Sequence, residues 1–258
     1  MAESYLIDIE GTIVTDKSYI PVPGALEWIR NLRQAEFKFA LVTNNTTHPP
    51  KDLLQLLWNI GFELDEGELE SCMSVALDWL LGANIKKCFA IGSNEFKKFL
   101  KENGIKLHSP DVQAVLVGLD QKLNYNKLKL ALSHLVKNDA QLLALHVNKL
   151  FTDQDGKLAP SVGAVVKALE YSSGKKAYVL GKPSSLFFER VIKKLKLTPE
   201  ETMMISDDPL SDLLGAKKMG MKTCFVLSGK YKDEKIVEGI DKNLQPDFIY
   251  DNITQIEI

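Results

Sequence analysis

The sequence has few cysteines, almost no net charge and no long apolar run. Its three cysteines among 258 residues, Cys72, Cys88 and Cys224, are far apart. An odd and scattered set predicts neither a disulfide framework nor a cysteine metal site, and it favours reduced thiols in the cytoplasm. The formal net charge of -2 lacks the basic excess expected of a protein that binds nucleic acid or an anionic membrane. No apolar stretch is long enough for a membrane span, and Glu3 and Asp8 interrupt the place of a signal-peptide core.

Short β-rich runs alternate with helical patterns along the chain, and tight hairpin signals are missing. This alternation predicts right-handed parallel units in an α/β fold, and the number of alternations favours two domains. The predicted strands are LIDI (6–9), KFALVT (38–43), KCFAIG (87–92), QAVLVG (113–118), QLLALH (141–146), AYVLG (177–181), TMMIS (202–206) and KTCFVLSG (222–229). The predicted helices lie within residues 21–34, 51–62, 94–104 and 125–137.

The first predicted strand carries two carboxylates at its end. In LIDIEGTIV (6–14), Asp8 and Glu10 break an apolar run, and Gly11 ends it. Burying a charge is costly unless the charge is paired or holds a metal. The two acids therefore lie either in an exposed turn or at a site that the strand presents.

Three further strands are followed by polar groups. KFALVT leads to Thr43 and Asn44, AYVLG leads to Lys182, and TMMIS leads to the acidic run SDDPLSD (206–212). Each piece alone has an ordinary structural interpretation as a turn, a helix cap or an acid-rich first turn of a helix. Loops at the carboxyl ends of parallel strands converge, however, so one site would collect them all. Several carboxylates with one lysine suit a hard divalent cation and a phosphoryl group.

The motifs DIEGT (8–12), VTNN (42–45), GKPSS (181–185) and ISDDPLSD (205–212), in this order, resemble the four motifs of haloacid dehalogenase-type phosphohydrolases. The long insertion before the lysine resembles the subclass with a large α/β cap, which includes 4-nitrophenyl phosphatases. The segments LALH, DGKLA and KALEY are most similar to the branch of phospholysine phosphohistidine inorganic pyrophosphate phosphatase. The resemblance implies a Rossmann-like parallel-sheet core, residues 1–72 plus 179–258, with an inserted α/β cap over residues 73–178.

The resemblance also implies roles for the residues of the first and fourth motifs. Asp8 would be the nucleophile that forms an aspartyl phosphate. Glu10 would be the general acid and base, at a position where the family most often has aspartate. Asp8, Asp207 and the backbone carbonyl of Glu10 would bind Mg2+. Asp208 and Asp212 would not bind the metal directly but would hold Lys182 or the metal-bound waters in place.

The other two motifs would bind the phosphoryl group. Thr43 and Asn44 would donate hydrogen bonds to its oxygens, and Lys182 would balance the charge that develops in the transition state. In the cap, the loop with His146, Asn148 and Lys149 would contact substrate, although an isolated histidine is more often a satisfied polar residue. DQDG (153–156) weakly resembles a calcium loop and is more typical of a turn.

These observations predict a cytoplasmic Mg2+-dependent phosphatase acting on a small phosphorylated substrate, with no nucleic-acid or membrane partner. A homodimer formed through the cap is possible. Two alternatives stay open: a non-catalytic phosphate- or metabolite-binding homologue, and a phosphoacceptor signalling domain. The inserted cap argues against the signalling domain, because such a domain needs an open site.

Overall fold

The computed structural model describes residues 2–15, 18–107, 109–152 and 157–258. The chain forms two compact units. The first comprises Met1–Thr43, Pro50–Glu70 and Lys182–Ile258, and the second comprises Asn44–Pro49 and Ser71–Gly181. The division into a core and a cap domain stays a prediction.

The first unit contains a six-stranded sheet with the order β13-β12-β11-β1-β2-β3. Strands β13, β12, β11, β1 and β2 run parallel to one another. The strands are β1 (Ser4–Asp8), β2 (Lys38–Thr43), β3 (Leu69–Ser71), β11 (Thr202–Ser206), β12 (Lys222–Val226) and β13 (Phe248–Tyr250). The helices are α1 (Ala25–Gln34), α2 (Pro50–Asn59), α7 (Ser185–Leu195) and α8 (Asp212–Lys218).

Strand β1 lies inside this sheet, between β11 and β2. In register, Ile7 lies beside Ile205 on one side and Leu41 on the other. All five β1 residues are buried, as expected for a strand covered on both faces. The strand that ends at Asp8 is therefore held on both sides by backbone hydrogen bonds.

Helix α1 buries one face in the hydrophobic core of this unit. In α1 the buried residues Ala25, Trp28, Ile29 and Leu32 follow the spacing of an amphipathic helix. The Trp28 indole donates a hydrogen bond to the carbonyl oxygen of Ile256 at 2.9 Å. Residues near both ends of the chain thus share one hydrophobic core.

The second unit contains a five-stranded parallel sheet and a small hairpin. The sheet has the order β10-β7-β6-β4-β5, and β8 pairs with β9 in antiparallel orientation. The strands are β4 (Lys87–Ile91), β5 (Lys106–Leu107), β6 (Ala114–Val117), β7 (Gln141–Ala144), β8 (Leu150–Thr152), β9 (Leu158–Pro160) and β10 (Tyr178–Val179). The helices are α3 (Cys72–Gly82), α4 (Asn94–Glu102), α5 (Tyr125–Lys137) and α6 (Val162–Ser173).

The β8–β9 pair differs from the sequence analysis, which found no tight hairpin signal. DQDG (153–156) connects the two strands in the sequence, and its residues lie outside those that the structure describes. Among the described residues, no helix combines the length and the apolarity that crossing a bilayer requires. The predicted α/β fold class, with parallel sheets and surrounding helices, is confirmed.

Candidate active site

The carboxyl ends of four neighbouring strands in the first unit bring the polar side chains of the site together. Asp8 ends β1, Thr43 ends β2, Ser206 ends β11, and the loop after β12 contains Lys230. Because these strands are parallel, all four ends lie at the same edge of the sheet.

Lys182 lies at the centre of this edge and is only 1% exposed. Its Nζ donates hydrogen bonds to Asp8 Oδ1 and to Asp212 Oδ2, each at 2.5 Å, and to the carbonyl oxygen of Val42 at 3.1 Å. Asp212 Oδ2 also accepts a hydrogen bond from Ser206 Oγ at 3.0 Å. The lysine thus joins the end of β1, the end of β2 and the start of α8.

Asp207 and Asp208 follow β11 and contact the loop after β12. Lys230 donates its backbone N–H to Asp207 Oδ2 at 2.5 Å, and its Nζ to Asp208 Oδ2 at 2.9 Å. The Asp207 carboxylate fits closely between Gly11 and Gly229, since a Cβ atom built on either glycine would collide with it. Gly11 has φ 85°, in the left-handed region that favours glycine.

Asp208 also fixes the turn before α8. Its Oδ1 accepts hydrogen bonds from the backbone N–H groups of Leu210 and Ser211, and its own N–H donates to Ser206 Oγ at 3.1 Å. Ser206 therefore bonds to both Asp208 and Asp212, which lie on either side of this turn.

Both carboxylate oxygens of Glu10 accept hydrogen bonds from hydroxyl groups. Tyr19 Oη donates to Oε1 at 2.7 Å, and Thr43 Oγ1 donates to Oε2 at 2.9 Å. Glu10 is half-buried, whereas Thr43 is almost completely buried. Thr43, which is predicted to bind phosphate, is therefore hydrogen-bonded to Glu10, the predicted general acid and base.

Burial dominates the electrostatics of the aspartates. It raises the pKa of Asp8 well above its usual range, against the lowering effect of Lys182 and with a further raising effect of Asp212. Burial also raises the pKa of Asp207 to about 7, and Asp208 and Asp212 act in the same direction. The pKa of Lys182 is raised, because the attraction of Asp212 and Asp8 outweighs the effect of burial.

The donor set fits a hard divalent cation. Among the described residues, five carboxyl groups lie at this edge, those of Asp8, Glu10, Asp207, Asp208 and Asp212, and the ammonium groups of Lys182 and Lys230 bond to three of them. In the described part of the chain, no group of three or more His, Cys, Asp or Glu side chains is arranged to hold a metal. Mg2+ does not need one, since it is usually bound by one or two carboxylates and keeps several waters.

The remaining predicted site residues belong to the second unit. Asn44 follows Thr43 in the chain but groups with this unit. His146 is buried, and its Nδ1 accepts a hydrogen bond from the backbone N–H of Asn148 at 3.3 Å. Lys149 is exposed, and its carbonyl oxygen accepts a hydrogen bond from the N–H of Ser161. Their predicted roles in binding phosphate and substrate stay predictions.

Three residues of this edge were missed by the sequence analysis. Lys230 follows a predicted strand, so the strand-end argument could have found it. Ser228, whose hydroxyl donates to the carbonyl oxygen of Gly11 at 2.8 Å, could have been found in the same way. Tyr19 begins the stretch YIPVPGALEWIRNLR (19–33), which resembles the family's stretch after its first motif, but it does not follow a predicted strand, so the strand-end argument could not find it.

Two family models match the chain. One, described as haloacid dehalogenase-like hydrolase, covers residues 5–106, and the other, described as HAD-hydrolase-like, covers residues 179–256. Haloacid dehalogenase-like hydrolase domain-containing protein 2 of Mus musculus is 33% identical over 238 residues, which cover 91% of this chain and 88% of that protein. The chain belongs to the haloacid dehalogenase-like hydrolases, and the predicted family is confirmed.

Two further relatives are similar over almost the whole chain. The 5'-nucleotidase YutF of Bacillus subtilis (strain 168) is 25% identical and covers 98% of this chain and 96% of its own length. The solved structure of p-nitrophenyl phosphatase from Archaeoglobus fulgidus has a TM-score of 0.88 at 25% identity, covering 97% of this chain and 96% of that chain. The narrower resemblance to phospholysine phosphohistidine inorganic pyrophosphate phosphatase stays a prediction.

Proposed function

We propose that the protein is a Mg2+-dependent phosphatase that hydrolyses small phosphorylated compounds through an aspartyl-phosphate intermediate. One observation carries this proposal: the buried Asp8, at the end of the central strand, is bonded to Lys182 and lies among further carboxylates. The phosphoric monoester hydrolase class is confirmed by the family and by the phosphatase and nucleotidase names of its relatives.

The first step is the attack of an Asp8 carboxylate oxygen on phosphorus. The new phosphorus–oxygen bond forms as the ester bond breaks, and the leaving alcohol takes a proton from Glu10. Lys182 holds Asp8 through Oδ1 and favours its ionised form, which is the nucleophilic one.

The second step is the hydrolysis of the aspartyl phosphate. Glu10, now ionised, takes a proton from water, and the resulting oxygen nucleophile attacks phosphorus. Phosphate leaves, and Asp8 is restored as a carboxylate. One residue thus serves as acid and then as base.

Asp8, Asp207 and the backbone carbonyl of Glu10 would hold Mg2+, whose charge would offset that of the phosphoryl group and of the carboxylates. Gly11 and Gly229 would leave room for the Asp207 carboxylate, since a Cβ atom on either glycine would collide with it. Thr43, Asn44 and Lys182 would bind the phosphoryl oxygens.

Selection among substrates is proposed to depend on the loop with His146, Asn148 and Lys149. Lys149 is the exposed member and offers a cation to an anionic substrate. We further propose that the protein is cytoplasmic, which its buried free cysteines support. A homodimer formed through the cap is proposed as its assembly.

Phosphate release from 4-nitrophenyl phosphate, with and without Mg2+, tests the activity. Asp8→Asn should abolish release, because the amide is not a nucleophile, while the circular dichroism spectrum stays that of the parent protein. Asp52→Asn, a change at an exposed position of α2, is the matched control and should keep full activity. Rapid quenching followed by mass spectrometry should find the phosphoryl group on Asp8.

The same experiment distinguishes the two alternative functions. A parent protein that binds phosphate but releases none would be the non-catalytic homologue. A parent protein whose phosphoaspartate forms and persists would be the phosphoacceptor domain. Asp8→Asn activity above a small fraction of the parent rate would contradict the covalent mechanism.

A further inference from the structure

Hydroxyl groups of two described residues donate to the Glu10 carboxylate, one to each oxygen. Tyr19 donates to Oε1 at 2.7 Å and Thr43 donates to Oε2 at 2.9 Å. Both distances are typical of good O–H···O hydrogen bonds. Two donors on two different oxygens fix the plane and the position of the carboxylate, which one donor cannot do.

Thr43 cannot hold Glu10 throughout the reaction. A threonine hydroxyl has a single hydrogen to donate. In the proposed function that hydrogen is needed by the phosphoryl group. When Thr43 donates to substrate, Glu10 Oε2 loses this donor, whereas the hydrogen bond from Tyr19 to Oε1 is not required by substrate and persists.

Tyr19 is built to keep its hydroxyl in place. The residue is 8% exposed and belongs to the hydrophobic core of the first unit. Its backbone has φ 49°, in the left-handed region that a tyrosine rarely adopts. Backbone strain of this kind persists where the surroundings impose it, often at functional sites. Next to it, the backbone N–H of Thr15 donates to the carbonyl oxygen of Ile20 at 2.8 Å, and the backbone N–H of Ile20 donates to Thr15 Oγ1 at 3.1 Å.

A glutamate needs such support more than an aspartate does. Its side chain has one more rotatable bond and reaches about 1.5 Å farther. We propose that Tyr19 is a positioning residue that holds the longer Glu10 side chain ready for proton transfer while Thr43 donates to the phosphoryl group. This inference rests on the proposed function.

Tyr19→Phe removes the hydroxyl and keeps the ring. We expect kcat for an alkyl phosphate to fall roughly tenfold, the loss expected from one hydrogen bond to a charged group, with KM nearly unchanged. With 4-nitrophenyl phosphate, rapid quenching should find aspartyl phosphate forming at the parent rate but hydrolysing roughly tenfold more slowly. The reason is that 4-nitrophenolate leaves without a proton, whereas water still needs the base.

A matched control separates this role from a structural one. Tyr250→Phe removes a phenol hydroxyl from the edge strand β13 of the same unit and should leave both rates unchanged. A second comparison uses Glu10→Asp, whose carboxylate falls about 1.5 Å short of the Tyr19 hydroxyl. In that background Tyr19→Phe should change either rate by less than about twofold, because the contact is already lost.

The outcomes separate this inference from the function on which it rests. Parent rates in Tyr19→Phe, or equal losses with and without Glu10→Asp, would overturn the positioning role alone. A loss of thermal stability with an equal slowing of both steps would also overturn it. A parent protein that hydrolyses neither ester would overturn the proposed function and this inference together.

Discussion

Replacing Lys182 with methionine should destabilise the protein as well as stop catalysis. The side chains of Lys182, Asp8 and Asp212 are only 1%, 10% and 7% exposed, and both ion pairs measure 2.5 Å. Methionine fills a similar volume but leaves two buried carboxylates without their shared cation. Removing one partner of a buried pair costs about 3–5 kcal/mol. The thermal midpoint should therefore fall by roughly 6–20 °C.

Urea unfolding, followed by tryptophan fluorescence and circular dichroism, measures this loss. Lys235→Met is the matched control, because Lys235 and Asp233 form an exposed pair at 3.9 Å. Such a pair contributes at most about 1 kcal/mol. Adding Asp212→Asn to Lys182→Met removes one of the two unpaired charges and should restore roughly half of the lost stability.

Two results would refute this reasoning. A Lys182→Met variant as stable as Lys235→Met would show that the carboxylates do not depend on the lysine. A double variant no more stable than Lys182→Met would show that lost packing, and not unpaired charge, causes the loss.

Three further predictions concern the metal site and the thiols. Asp207→Asn should raise the Mg2+ concentration needed for half-maximal phosphate release, and an unchanged requirement would remove it from the metal site. Gly229→Ala should lower activity at least tenfold and cost about 1–3 kcal/mol by overpacking, whereas Gly239→Ala, where a Cβ atom meets nothing within 4 Å, should change neither. A thiol reagent at pH 8 should label no cysteine of the native protein and three after unfolding. Cys72, Cys88 and Cys224 are all buried, and burial raises the pKa of Cys88 and of Cys224 to about 12. Labelling of the native protein would contradict this packing.

The long parallel strands could be predicted because their apolar runs end in recognisable turns. Strand β5, with two residues, and the three-residue strands β3, β8, β9 and β13 are too short to show a pattern, whereas the two-residue β10 lies within the predicted strand AYVLG (177–181). Helix α3 was missed for a different reason. Its buried residues lie on one side, but Leu77 and Leu81 on the other side are apolar as well, so the sequence lacks the one-sided periodicity of a surface helix.

In the candidate site, too, some contacts could be predicted from the sequence and others could not. Asp8 and Asp212 come together because the parallel neighbours β1 and β11 end at the same edge of the sheet, which sequence order and strand patterns suffice to predict. The strand before Lys182, β10, pairs instead within the sheet of the second unit, so the convergence of strand ends in one sheet does not explain the contacts of this lysine with Asp8 and Asp212. The contacts of Tyr19 and Lys230 depend on how loops fold back against those ends. No local sequence pattern specifies how these two loops fold.

The two compact units also have a consequence for synthesis on the ribosome. Ser4 in β1 bonds to Thr202 in β11, a residue 198 positions later. At 5–20 residues per second, roughly 10–40 s separate the emergence of these two strands. Until β11 emerges, the edge of the apolar strand β1 that pairs with β11 remains unpaired, a state that chaperones commonly protect. Residues 71–181, which are continuous in the chain, can fold during that interval. The unit that contains Asp8 begins first and is completed last.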